Sequence, residues 1–600
     1  MTNGKSIIKR GEQNPANCWS VEDIFPNDEA WEAEFQSCQT IPEQVAAFRG
    51  RLGSDAATLL EYLELSEQVN VRMESLFYYA MLRHDEDTAN PVYQAVRGRC
   101  LSFLVRIESA NAFAEPELVA IPEEELEQFY AKEPGLEKYR RHLTKARLER
   151  DHILSQAEED LLAAAGEVTN GPSSIYNSFA DADMKFPAVT DSTGAEHPLT
   201  HGSYIALMES PDRTLRENAF KSLYGVYDSF RNGLASMLNT EIRKNVFFAQ
   251  ARKYDSALMA ALSPVEIPES VYHNLIDAVH QNLDKMYRYM SLRKKAMGLD
   301  ELHMYDLYAA MLPDADRVIP FEQAKEYVLA ATEVLGSEYH KVIESSFENR
   351  WMDIYENENK RSGAYSCGCP VHPFVLLNHK DTLDSAFTLA HELGHAMHSY
   401  LSTQNQPPVY ADYVIFVAEV ASTCNEALLM RYLLDHTTDK RERAVLINYF
   451  LEQFRTTLYR QTMFAEFELK THRLAEAGEA LTAQQFCDIY YDLNKLYYGD
   501  NVIVDPEIAM EWARIPHFYR RFYVYQYATG FSAAMALSQR ILSGGPEAVE
   551  HYLQFLSGGC SADPISLLKI AGVDMSTPTP VNEALALFGN LIEELEELLA

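Results

Sequence analysis

A mainly α-helical protein is predicted, and three observations predict it. Apolar residues recur at three- and four-residue spacing through long stretches of the chain. Glycine and proline are thin, at 26 and 25 in 600 residues, and mostly mark the ends of those stretches. Extended patterns are confined to two short regions. A chain of 600 residues is also too long for one small core, so more than one lobe is expected.

In chain order, helical periodicity runs through Ala57 to Leu82, Tyr93 to Phe113 and Glu158 to Val168. Between Asp183 and His201 it gives way to Met-Lys-Phe-Pro-Ala-Val, an Asp-Ser-Thr-Gly turn and Glu-His-Pro-Leu-Thr, which reads as a short hairpin. Helical spacing returns in Ser270 to Met297 and Phe321 to Leu335. A second extended region runs from Gly363 through Pro373-Phe-Val-Leu-Leu-Asn378, and Arg443 to Ala477 is helical again. No fixed-period repeat or low-complexity linker divides the chain. The Glu115-Pro116 and Ile121-Pro122 pairs suggest a boundary there, and a second is placed near residue 200. The expected regions are 1–115 (N-terminal and helical), 116–200 (carrying the hairpin) and 201–600.

The charge is lopsided. Against 88 acids stand 52 Lys and Arg, for a formal charge of −36. With no basic tract, nothing here could hold a phosphate backbone or an anionic bilayer, so nucleic acid and membrane are not expected as partners. The Met1 to Pro15 segment has only Ile7 and Ile8 as an apolar pair and lacks the core of a secretory signal, and no apolar run is long enough to span a bilayer. Eight scattered cysteines fit reduced thiols, and a cytoplasmic location is expected.

The strongest motif is His391-Glu392-Leu393-Gly394-His395. On a helix, residues 391 and 395 lie about 40° apart around the axis and one turn along it, so both imidazoles can reach one metal ion. Glu392 then projects beside the metal, where it can take a proton from water. Asp381 is the expected N-cap, and Asp384 falls in the first turn. By chance, HExxH turns up in roughly one chain of this length in twenty, so the motif needs support. Tyr413-Val-Ile-Phe-Val-Ala-Glu419-Val-Ala421 supplies it, because a carboxylate inside an apolar helical run is costly unless it is paired or bound to metal. Two histidines and a glutamate with one open position form the catalytic zinc pattern, with one Zn²⁺ per chain. Glu426 falls on the same face as Glu419; it could hold a ligand histidine from behind or be a solvent-facing helix acid. His398 is read as a packed histidine and not a fourth ligand.

Together these residues resemble the thimet-oligopeptidase-like zinc metallopeptidases, and within them the oligoendopeptidase F branch. The resemblance rests on His391-Glu-Leu-Gly-His395-Ala-Met-His398, preceded by Thr388-Leu-Ala, and on Glu419-Val-Ala-Ser422. Gly363-Ala-Tyr365, Phe374-Val-Leu-Leu-Asn378, Asp183-Met-Lys-Phe-Pro187 and Tyr523-Val-Tyr-Gln-Tyr-Ala-Thr-Gly530 extend it from about residue 115 to near the C-terminus. It implies two helical lobes flanking a deep substrate channel, with a few short β-strands near the zinc site. It also implies an endopeptidase that hydrolyses internal bonds of short, unstructured oligopeptides by Glu-assisted attack of a water held on zinc.

Peptide hydrolysis also needs donors for the developing oxyanion, and none lies within the HExxH segment. The resemblance matches His517 to the family's histidine and Tyr527 to its principal tyrosine. If the segment is helical, Tyr519, Tyr523 and Tyr527 share a stripe and Tyr525 points away. The choice among these tyrosines stays open, with Tyr523 and Tyr527 preferred. Gly363, Ala364 and Tyr365 are expected to pair with bound peptide as an added strand. Two other readings compete: a carboxypeptidase using Arg520 or Arg521 to clamp a terminal carboxylate, and a non-catalytic scaffold, which the intact HExxH and Glu419 disfavour.

Overall fold

In the computed structural model, which describes residues 7–312 and 318–600, the chain is 73% helix and 3% strand. The first six residues of the segment read for targeting lie outside the described residues. No helix among the described residues is long and apolar enough to cross a membrane. The chain forms two compact units, each assembled from three separate stretches of sequence.

The first unit comprises Met1–Arg150, Arg317–Tyr432 and Leu537–Gly572. Its N-terminal part is built on helices Ala56–Glu86 and Pro91–Asn111, which pack on each other. Asp55 and Asn90 cap them by accepting backbone N–H groups of Thr58 and Val92. Trp19, Trp31, Leu59, Leu76 and Phe103 fill the core around them. A three-stranded sheet follows, ordered Met352–Asp353, Phe374–Leu376, Tyr365–Cys367. The central strand is parallel to the first and antiparallel to the last, with Tyr365 opposite Leu376 and Cys367 opposite Phe374. Tyr365–Cys367 is therefore an edge strand, and it packs against helix Leu383–Asn405, which carries the HExxH motif. Thr382, not the expected Asp381, caps this helix: its side chain accepts from the Ser385 backbone N–H, while Asp381 sits at φ +55° in the turn before it.

The second unit comprises Asp151–Asp316, Leu433–Ala536 and Val573–Ala600. The expected hairpin is present as Val189–Thr190 paired antiparallel with Glu196–His197. The run from Ser270 to Met297 is broken at Gln281-Asn282 into helices Glu269–His280 and Leu283–Ala296. The Arg443 to Ala477 run is nearly continuous: Lys440–Gln453 passes through a π-helical stretch, Phe454–Tyr459, into Arg460–Glu476. Phe454 of that stretch meets Phe531 edge-on at 4.8 Å and Phe588 at 5.4 Å in the core.

Candidate metal centre

Helix Leu383–Asn405 is amphipathic in a way that fixes its rotation. Ala386, Phe387, Leu389, Ala390, Leu393, Ala396 and Met397 are buried, while His391 and His395 are only half-buried. Gly394, between the histidines, faces helix Ile415–His436. A Cβ at Gly394 would lie 2.5 Å from the Ser422 Cα and 2.6 Å from the Ala421 carbonyl oxygen, so only glycine allows this approach. Asn425 ties the same crossing: it donates to the Ala390 carbonyl at 3.3 Å and accepts from the Tyr339 hydroxyl at 3.1 Å. Neither residue was singled out for this role from the sequence, although a glycine inside a helical run is a known sign of close backbone approach.

That crossing brings Glu419 to the two histidines. Glu419 Oε2 lies 3.4 Å from His391 Nε2 and 3.6 Å from His395 Nε2, and the two Nε2 atoms are 3.2 Å apart. A tetrahedral ion with ligand bonds of about 2.0–2.1 Å separates its donors by about 3.3 Å, so these spacings fit the donor set of a divalent ion such as zinc. The three residues form the cluster among the described residues able to hold a metal. His391 Nδ1 donates to Glu426 Oε1 at 2.6 Å, which leaves the Nε2 lone pair facing the other two donors. Burial disfavours charge on His391, but the carboxylates of Glu419 and Glu426, as hydrogen-bond acceptors, outweigh it and raise its pKa well above the ordinary value. Glu419 is held well below the usual carboxylate range, because its two histidine partners overcome its burial.

Glu392 is buried beside the trio, and its Oε2 has no hydrogen-bond partner. Burial raises its pKa, opposed by His391 and His395. A carboxyl so placed has free lone pairs and a reason to take up a proton. His398 is a packed residue: it stacks on Tyr413 with ring centres 3.7 Å apart, and burial lowers its pKa to about 3. Gly363 turns the chain at φ +83°, and its carbonyl accepts from Asn378 Nδ2 at 2.8 Å. Ala364 is half-buried, and the Tyr365 hydroxyl donates to Asp85 at 2.9 Å, fixing the strand by one end.

In the second unit, the phenol-rich segment is not one helix. Pro516–Tyr519 is a 3-10 turn, and the helix begins only at Tyr525, with Phe522 at φ +48° between them. The single stripe therefore does not form: Tyr519 stacks instead on Tyr176, ring centres 4.3 Å apart. Tyr525 is buried against Tyr272, ring centres 5.0 Å apart. Tyr523 and Tyr527 do gather with His517: the Tyr527 hydroxyl lies 3.3 Å from His517 Nε2, and the two phenol rings meet edge-on at 5.5 Å. Burial lowers the His517 pKa, and Arg520 and Arg460 lower it further.

The family description Peptidase family M3 matches residues 206–587, and Oligopeptidase F matches residues 117–186. Oligopeptidase PepF of Bacillus subtilis (strain 168) is 44% identical over 591 residues, covering 98% of this chain and 88% of the relative. The plasmid-encoded oligoendopeptidase F of Lactococcus lactis subsp. cremoris is 40% identical over 584 residues, covering 97% of each chain. The crystal structure of oligoendopeptidase-F from Enterococcus faecium superposes with a TM-score of 0.75 at 39% identity, covering 95% of this chain and 99% of that one. With a metal-competent HExxH centre and relatives that align over nearly its whole length, the chain belongs to peptidase family M3 and is an oligopeptidase.

Proposed function

We propose that the chain is a zinc-dependent endopeptidase acting on internal bonds of short, unstructured oligopeptides. The observation that carries this reading is the convergence of His391, His395 and Glu419 at 3.2–3.6 Å beside a buried Glu392 with an unpartnered oxygen. These three residues would hold the ion, one per chain. When bound, the ion supplies Lewis acidity that lowers the pKa of water and polarises a carbonyl.

The chain's own residues account for the rest. Glu392 accepts the proton of the attacking water at its free oxygen and later gives it to the leaving amine. Glu426 keeps the His391 ring oriented by accepting from Nδ1. The edge strand Tyr365–Cys367, with Gly363 and Ala364 before it, offers a sheet edge along which an extended peptide adds as a strand. His517, Tyr523 and Tyr527 donate hydrogen bonds to the oxyanion as it develops. Two helical lobes flanking a deep channel would limit substrates to unfolded peptides, and the setting is cytoplasmic.

Metal analysis combined with mass spectrometry of products from a peptide blocked at both ends tests this. One zinc per chain and internal cleavage are expected. Absence of bound metal, or trimming confined to peptides with a free C-terminus, would overturn the reading, the latter in favour of a carboxypeptidase.

A further inference from the structure

The phenol-rich group of the second unit is held by an unusual support. Between the 3-10 turn Pro516–Tyr519 and the helix that starts at Tyr525, the chain reverses through Phe522, whose φ of +48° is a conformation that bulky residues rarely adopt. Such a backbone persists only where its surroundings over-determine it. Here they do so chiefly from helix Arg460–Glu476, with Tyr272 of helix Glu269–His280 beside it. Glu468 Oε1 accepts the Phe522 backbone N–H at 2.5 Å, and Glu468 is buried. The Phe522 ring sits on His472, centres 4.5 Å apart, and edge-on to Tyr272 at 5.7 Å. His472 is itself fixed: its Nδ1 donates to the Glu468 carbonyl at 2.8 Å, and its Nε2 accepts from Asn245 at 3.2 Å.

We propose that Glu468 is a positioning residue for the His517, Tyr523 and Tyr527 group, setting its geometry by capturing the Phe522 N–H and so fixing the left-handed turn between them. This rests on the reading that the three side chains meet the oxyanion. Three backbone hydrogen bonds carry the placement outward from the turn. Arg520 N–H donates to the His517 carbonyl at 2.9 Å, Tyr523 N–H to the Arg520 carbonyl at 3.2 Å, and Tyr527 N–H to the Val524 carbonyl at 3.3 Å. A shift at Phe522 therefore moves His517 and both phenols together.

The chemistry of Glu468 suits the task. Its second oxygen is buried with no partner, and the acid Glu241 lies near. Burial is the largest influence and raises its pKa well above the carboxylate range, with the Phe522 N–H opposing.

An acceptor at this distance can be supplied by glutamine but not by aspartate, whose carboxyl is withdrawn by one methylene. Rates are measured per zinc-loaded chain on an end-blocked peptide, together with inhibition by a peptide bearing a phosphinic group in place of the scissile amide. Glu468→Gln is expected to keep kcat and KM within about twofold. Glu468→Asp is expected to lower kcat about tenfold or more with KM little changed, since a displacement of about 1 Å weighs on the transition state. The phosphinic Ki should rise by the factor by which kcat/KM falls, a correspondence that general destabilisation does not produce. Wild-type kcat in Glu468→Asp, or equal damage in Gln and Asp, overturns the proposal. His517→Ala and Tyr527→Phe are run beside them. Wild-type kcat in both removes the underlying reading, whereas lowered kcat there with wild-type kcat in Glu468→Asp removes only the role of Glu468.

Discussion

The candidate metal trio of the first unit and the His517 group of the second are built by opposite means. His391 and His395 sit four residues apart on one helix, so their convergence follows from helical geometry once the helix exists. Glu419 needs one further condition, a close helix crossing, and Gly394 provides it. His517, Tyr523 and Tyr527 instead come from a 3-10 turn, an irregular segment and the first turn of a helix. Their meeting depends on one left-handed residue and on a carboxyl 54 positions away. A site built on periodicity tolerates change outside its helices. A site built on a turn is only as exact as the hydrogen bond that holds the turn.

The sharpest way to break this comparison is to separate chemistry from assembly within the first site. Glu392 Oε2 has no hydrogen-bond partner, and the spacings of the other three residues do not involve it. Glu392→Gln is therefore expected to keep one zinc per chain while kcat falls by about 10²–10⁴ or more. Loss of metal in that variant would mean the residue is structural. Glu419→Ala should do the reverse and lose the metal outright, read by metal content after gel filtration. Glu426→Gln belongs between them. It keeps an oxygen near His391 Nδ1 but gives up the charge, and zinc affinity should weaken about 10- to 100-fold in a competition titration.

What the sequence disclosed follows the same divide. Helices such as Ala56–Glu86 were legible because a buried stripe repeats with the helical period, and the boundaries moved by only a few residues. The hairpin at Val189–Thr190 was legible because its turn residues lie next to one another in the chain. The break at Gln281-Asn282 was not, because the apolar spacing continues across it. The shared face of His391 and His395, and that of Glu419 and Glu426, were legible because i, i+4 and i, i+7 relations are written in residue order. The arrangement of residues 516–527 was not, because its apolar and aromatic spacing is equally consistent with a helix. Tertiary contacts with Glu468, His472 and Tyr272 decide otherwise. The assembly of each unit from three separated stretches is likewise invisible to local pattern.

Gly394→Ala sharpens the comparison from the side of packing. The added methyl meets backbone, which cannot rotate away as a side chain would. Overpacking of this kind costs about 1–3 kcal/mol. The strain should also part helix Ile415–His436 from the HExxH helix and draw Glu419 off the histidines. A lower Tm with about tenfold weaker zinc binding is expected. A lower Tm with unchanged zinc affinity would show that the crossing and the ligand geometry are independent.

The smallest effect tests the support beneath the second site through pH. Burial lowers the pKa of His472 to about 4, with its hydrogen bond to the Glu468 carbonyl opposing and Arg521 lowering it further. The unfolded imidazole titrates near 6.5, so between about pH 6.5 and 4 the unfolded chain binds a proton that the folded one refuses. The contribution of neutral His472 is thus complete above about pH 6.5 and is lost as pH falls toward 4, at about 1.4 kcal/mol per unit. Glutamine at this position can still accept from Asn245 and donate to the Glu468 carbonyl, but it does not titrate. His472→Gln should therefore flatten the fall of Tm with acid by one proton's worth over that window and leave Tm above pH 7 nearly unchanged. An unaltered slope would mean that His472 stays accessible to protons in the folded protein, and that the turn at Phe522 rests on Glu468 without a fixed histidine beneath its ring.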